Sequence, residues 1–153
     1  MVRLAELPAE TRPHIEKLNC PVYEGAPFVS GPSLNKRRVA IVSTAGLQRR
    51  GDRPYSFDAD DYRIIPGNIS AADIVMSHIS SNFDRSGFIQ DHNVAFPLDR
   101  LHELAANGEI GSVATYHYSF MGSTHPDDME TTARHLAGLL KGDAVDAILL
   151  IPV

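Results

Sequence analysis

Histidines, short polar side chains and one cysteine are the groups in this 153-residue sequence that could do chemistry. His78 and His92 lie in a polar stretch, 74–100, that also holds Asp84, Arg85, Asp91 and Asn93. Imidazoles exchange protons near neutral pH, and with carboxylates they can bind metals. No pair among His78, His92, His117 and His125 has the HxH or HxxxH spacing that sets two ligands on one element. A single cysteine also removes thiolate sites, so no metal is expected. His117 begins the segment HYSFMG. There it would serve a ligand as a polar or acid/base group, or satisfy a structural hydrogen bond. Met121-Gly122 reads as a tight turn in which glycine lets backbone approach a ligand. Thr44 and Gly46, in STAGL, could bind an anion or carboxylate. Asp91 and Asn93 would either contact a polar ligand or close an Asx turn that shapes the loop. Ser77-His78 is not a catalytic pair, because neighbours in a strand point to opposite faces. Arg49, Arg50 and Arg53 would attract a carboxylate or remain solvated. Cys20 sits in a Pro-rich segment and reads as an incidental thiol.

These groups need elements to position them. Val39–Val42 is a continuous apolar run, as in a strand covered on both faces. Tyr62–Ile65 and Ile74–His78 read as further strands, although 70–76 could instead be a short capped helix. Residues 48–61 read as a loop. A connection of about 20 residues without secondary structure, between Ile74 and Pro97, is unusual in a compact domain and reads as a functional loop. A helix is expected over 97–107, with Pro97 in its first turn and Asn107-Gly108 at its end. Val113–Phe120 reads as a strand, 126–141 as an amphipathic helix and Ala147–Val153 as a last apolar strand. Residues 1–37 form an N-terminal extension with a short helix around 9–18. Residues 38–153 form one α/β domain. Strands alternating with helices predict a mostly parallel sheet flanked by helices, doubly wound in the flavodoxin or Rossmann manner. Ligands of such sheets bind beyond the carboxyl ends of the strands. Those ends are Ser43–Gly46, His117–Gly122 and Pro152-Val153.

A net charge of -5 argues against a nucleic-acid partner. No apolar run is long enough to span a membrane, and the N-terminus lacks the apolar core of a signal peptide, so a cytoplasmic location is expected. An exposed terminal apolar strand without a covering helix predicts a homo-oligomer.

The segments VAIVSTAGL, YRIIPGNI, SHISSNFDRSGFIQDHNVAFPLDRLHELAANGEIGSVA, HYSFMG and DAILLIPV occur in this order. Together they resemble the selenoprotein B subunits of the glycine, sarcosine, betaine and D-proline reductases, over roughly Arg38 to Val153. The resemblance implies an oxidoreductase that reductively cleaves a carbon–nitrogen bond with a dithiol as donor. It also implies a small amino-acid-like substrate and partner reductase subunits, and no cofactor. The substrate-binding candidates are Thr44, Gly46, His78, Asp91, Asn93, His117, Met121 and Gly122. In that family selenocysteine, or sometimes cysteine, follows the strand that DAILLIPV resembles, so the nucleophile would come directly after Val153. The 153 residues are therefore expected to lack it. Either an in-frame UGA is read as stop, or this is a short, diverged member; taken as complete, the chain fits the second. A different class, a non-redox binding or accessory protein, remains open, as does a metal-dependent lyase or hydrolase.

Overall fold

In the computed structural model, residues 4–10, 12–17, 21–80 and 83–153 are described. Cys20 lies outside them. The elements are α1 (Arg12–Glu16), β1 (Arg38–Ser43), β2 (Leu47–Arg49), β3 (Arg63–Pro66), β4 (Ile74–Met76), α2 (Ser86–Gln90), α3 (Leu98–Ala106), β5 (Ser112–Val113), β6 (Tyr116–Ser119), α4 (Glu130–Gly142) and β7 (Ala147–Ile151). Among the described residues no helix is long and apolar enough to cross a membrane.

Strand β1 is the axis. It pairs in parallel with β7 along one side, and with β5 and then β6 along the other. Strand β3 joins β6 antiparallel. The result is a mixed α/β fold with a curled, mostly parallel sheet and few helices. The apolar run of β1 explains its place, because alternate residues serve opposite faces. Val39 and Ile41 pack with Phe96, Leu98 and Leu101 at the start of α3. Ala40 and Val42 pack with Tyr118 of β6, Phe120 just after it, and Leu136 and Leu140 of α4. Ile41 is fully buried, a burial worth about 1.5–3 kcal/mol.

Helix α4 stops for a local reason. Val145 N–H bonds to Leu140 O at 2.9 Å and Ala144 N–H to Lys141 O at 3.1 Å. This is a Schellman closure, with Val145 apolar at the following position. It puts Ala144 at φ 53, a conformation that glycine adopts without strain.

Several expectations are corrected. The loop between β4 and α3 is not structureless: it contains α2 and a 3-10 turn, His92–Val94. Pro97 precedes α3 as its N-cap residue instead of lying in its first turn. Helix α4 begins at Glu130, and 126–129 form turns before it. Leu47–Arg49 is a strand, not a loop, and pairs antiparallel with β4 in a separate two-stranded sheet. Ser70 caps a 3-10 turn just before β4, so both expectations for 70–78 hold in part.

The expected strand 113–120 is split into β5 and β6 by side chains that replace ladder partners. The Asp143 carboxylate accepts from Thr115 N–H at 2.7 Å, from the Thr115 hydroxyl at 2.9 Å and from Arg38 at 2.7 Å. Burial pushes the Asp143 carboxyl upward, but these bonds outweigh it and hold its pKa below the ordinary value. Thr115 O turns away to accept from Gly67 N–H at 2.9 Å. Ile41 N–H then donates to His117 Nδ1, 2.9 Å away. No backbone group named at this break is left without a partner, as buried peptides require.

Candidate functional site

The carboxyl ends of β1, β6 and β7 converge. Thr44 N–H continues the β1–β7 pairing to Ile151 O at 3.0 Å. The Thr44 hydroxyl accepts from Val153 N–H at 2.8 Å and donates to Val153 O at 3.3 Å. Gly46 N–H bonds to Phe120 O at 2.9 Å, and Ala45 bridges to Met121. Strand β6 then turns, with Thr124 N–H closing on Met121 O at 3.1 Å.

Two glycines are required here. Gly46 has φ +64, and a β-carbon on it would lie 2.9 Å from His78 Cα and 3.0 Å from His78 N. Only glycine combines that conformation with that approach. It allows Ser77 N–H to bond to Gly46 O at 2.9 Å, which carries His78 onto the edge. A β-carbon on Gly122 would strike Val153 O first. It would also lie 2.8 Å from Thr44 O and 3.2 Å from His78 Nε2. The missing methyl group lets Thr44, His78 and the Val153 backbone close directly onto Gly122.

His78 is 5% exposed. Ser80 N–H donates to its Nδ1 at 3.2 Å. Phe83 packs on the ring, with centroids 4.9 Å apart. Arg85 donates to the His78 carbonyl. Because Nδ1 accepts, the proton sits on Nε2. That N–H is buried and has no partner among the described residues. Burial first, and the Arg85 charge second, lower the pKa of His78, so it is neutral at pH 7.

The structure thus brings together Thr44, Gly46, His78, Met121 and Gly122. His117 lies inside the sheet instead, fully buried and bonded to Ile41. Its pKa falls to about 4, mainly through burial, with the His102 charge adding to the fall. Asp91 and Asn93 sit apart. Asp91 Oδ1 accepts from Asn93 N–H at 2.9 Å, and Asn93 bonds onward to Asp99 at 3.0 Å, shaping the approach to α3. No helix follows Gly46, because β2 does, so Thr44 and Gly46 do not form a helix N-terminal anion site. Arg49, Arg50 and Arg53 are paired with Asp52, Asp73 and Asp61.

Residue-by-residue reading missed two features. One is Phe83, whose role depends on a contact made inside the loop. The other is a cavity of about 490 Å³ beside the Gly122 turn, lined by Phe57, Asp58, Asp60, Ser123, Thr124 and Asp128. It joins segments far apart in sequence, so no local pattern marks it. The edge therefore offers a neutral N–H donor, a hydroxyl and close backbone, with carboxylates nearby. It can hold and orient polar groups. None of these side chains is a strong nucleophile.

A profile described as glycine/sarcosine/betaine reductase selenoprotein B matches residues 15–152. The D-proline reductase subunit gamma of Acetoanaerobium sticklandii is 33% identical over 120 residues, covering 76% of this chain and 49% of that protein. The sarcosine reductase complex component B subunit beta of Peptoclostridium acidaminophilum is 30% identical over 136 residues, or 85% of this chain and 31% of that protein. The glycine reductase complex component B subunit gamma of Carboxydothermus hydrogenoformans is 28% identical over 126 residues, or 76% and 28%. The chain therefore spans half or less of the length of these relatives. No solved structure matches it significantly.

Proposed function

Because the chain belongs to the glycine/sarcosine/betaine reductase selenoprotein B family, we propose that it supplies the substrate-facing sheet edge of a reductase complex. The reaction is the family's reductive cleavage of a carbon–nitrogen bond. The bond breaks, the nitrogen leaves protonated and the carbon gains hydrogen. Two electrons and two protons come from a dithiol, which becomes a disulfide. The substrate is a small amino-acid-like molecule such as glycine, sarcosine, betaine or D-proline. The nucleophile, a selenocysteine or cysteine, belongs directly after Val153 and is not among the 153 residues. No cofactor is needed in this subunit.

The observation that carries this is the convergence of Thr44, His78 and Gly122 on the backbone of Val153. A soft chalcogen anion placed there would stand beside a buried N–H donor and next to a cavity with carboxylates suited to an ammonium group. Asp91, Asn93 and His117 support this edge from outside it: the first two shape the loop and the third holds the sheet. Partner reductase subunits bring the activated substrate and the dithiol.

Three further points belong to the same proposal. The sheet is arranged in the doubly wound, flavodoxin- or Rossmann-like manner, with 38–153 as one domain behind the extension 1–37. Both faces of β7 are apolar, with Ile148, Leu149 and Leu150 37–67% exposed, as suits an interior strand. In the isolated chain this strand pairs with a second copy. The location is cytoplasmic.

The test is a dithiol-dependent reduction assay with the partner subunits of a relative. It compares the 153-residue chain with the chain extended by selenocysteine or cysteine. Activity only on extension supports the proposal. No activity in either form supports a non-redox binding or accessory role instead.

A further inference from the structure

Strand β7 reaches the rim of the sheet without the usual protection. It pairs with β1 along one side, and among the described residues nothing pairs along the other. Ala147–Ile151 include no lysine, proline or charge, the devices that keep exposed strands apart. Ile151 O accepts from Thr44 N–H, so Ile151 and, by alternation, Leu149 turn their backbone groups towards β1. Ile148 and Leu150 therefore turn both N–H and C=O to the open side. Their side chains line a groove of about 600 Å³, walled by Ala137 and Leu140 of α4 and by Phe28 and Val29 of the extension.

Resting on the pairing of β7 proposed above, we infer that two copies join in one antiparallel register about a two-fold axis: Leu149 meets its own counterpart, and Ile148 exchanges two backbone hydrogen bonds with Leu150 of the second copy. The backbone selects this register. Centred on Leu149, it satisfies both outward groups of Ile148 and both of Leu150 in each chain. Centred on Ile148, it would need Asp146 N–H, which already donates to Arg38 O at 3.2 Å. Centred on Leu150, it would need an N–H from Pro152, which has none. A strand that completes itself in this way is the self-complementary patch that a two-fold dimer requires. The area also fits. Phe28, Val29, Ile148, Leu149 and Leu150 are 93, 78, 46, 37 and 67% exposed. Scaled to whole side chains, they present on the order of 600 Å² of apolar surface, against about 800 Å² from each partner of a standard interface. The paired backbone adds to this, and the two grooves meet across the axis above one continuous sheet.

The test uses the 153-residue chain with Cys20→Ser. Light scattering should give twice 16.7 kDa. In this background Leu149→Cys should form an intermolecular disulfide in air, because facing residues of a non-hydrogen-bonded pair have Cα atoms about 4.5 Å apart, within disulfide reach. Ile148→Cys should cross-link about tenfold more slowly, since its counterpart lies on the diagonal, about 7–8 Å away. In the chain without substitutions, amide exchange at Ile148 and Leu150 should slow as rising concentration drives pairing. Exchange at Leu149, bonded to β1 throughout, should stay the same. This second measurement needs no variant to fold. A monomer at the concentrations used for exchange defeats the β7 pairing and this inference together. A dimer in which Ile148→Cys cross-links as fast as Leu149→Cys, or in which the Ile148 and Leu150 amides stay open, defeats the register alone. The reductase assay is independent of both.

Discussion

Acidification should destabilise this protein through one buried imidazole, and His117→Asn isolates it. His117 is fully buried, and its Nδ1 replaces the carbonyl that β1 loses where β5 and β6 separate. Protonating Nδ1 removes the acceptor of Ile41 N–H and buries a charge. Burial first, and the His102 charge second, lower its pKa from 6.5 to about 4. In the unfolded chain the ordinary value holds. Between these values the unfolded state binds the extra proton, so stability is complete above about pH 6.5 and is lost as pH falls towards 4. At roughly 1.4 kcal/mol per pH step, the loss is about 3 kcal/mol, a large part of a domain's typical 5–15 kcal/mol. In His117→Asn the side-chain carbonyl can take the place of Nδ1 and does not titrate. Urea unfolding of both proteins from about pH 7 to about pH 4 should show wild type losing about 3 kcal/mol more than the variant. The comparison removes the contributions of the remaining histidines and of the carboxylates. A gap between the two proteins that stays constant over that range would refute the reasoning.

Gly122→Ala and Gly138→Ala make the same chemical change with opposite results. The first forces a methyl group against Val153 O, Thr44 O and His78 and should cost about 1–3 kcal/mol in a thermal melt. The second meets open space in α4 and should gain up to about 1 kcal/mol. Ala144→Gly should stabilise by up to about 1 kcal/mol, because φ 53 is relieved at the end of α4; an unchanged melting temperature would contradict it. Asp143→Asn removes the carboxylate charge paired with Arg38 and weakens the β5–β6 break, so it should cost about 1–3 kcal/mol, read by denaturant midpoint. Leu150→Lys, at a residue 67% exposed on β7, should turn the proposed homo-oligomer into a monomer by light scattering while leaving the melt within about 0.5 kcal/mol.

Much of the frame is legible in local sequence. Strands β1 and β7 are continuous apolar runs, and α3 and α4 carry their apolar residues at helical spacing, so pattern alone locates them. Strand β2 is not legible, because Leu47-Gln48-Arg49 is too short to show a period and pairs only because β4 lies beside it. The split between β5 and β6 is hidden for a different reason: Asp143, which causes it, is remote in sequence from Thr115. At the candidate site, strand-end logic finds Thr44, Gly46 and Gly122, since loops beyond carboxyl ends must gather there, while His78 is found through the polar stretch 74–100. It does not separate His117 from them, because strand position says nothing about depth. Nor does it reveal that Gly46 exists to admit the backbone of His78, a contact formed only in three dimensions.

The most direct measurement is the intact mass of the protein from its own host, read with the nucleotide sequence beyond codon 153. A mass above 16.7 kDa and an open frame that continues through a UGA or a cysteine codon directly after codon 153 are expected if the nucleophile stands after Val153. An ordinary stop codon and a mass of 16.7 kDa would contradict it.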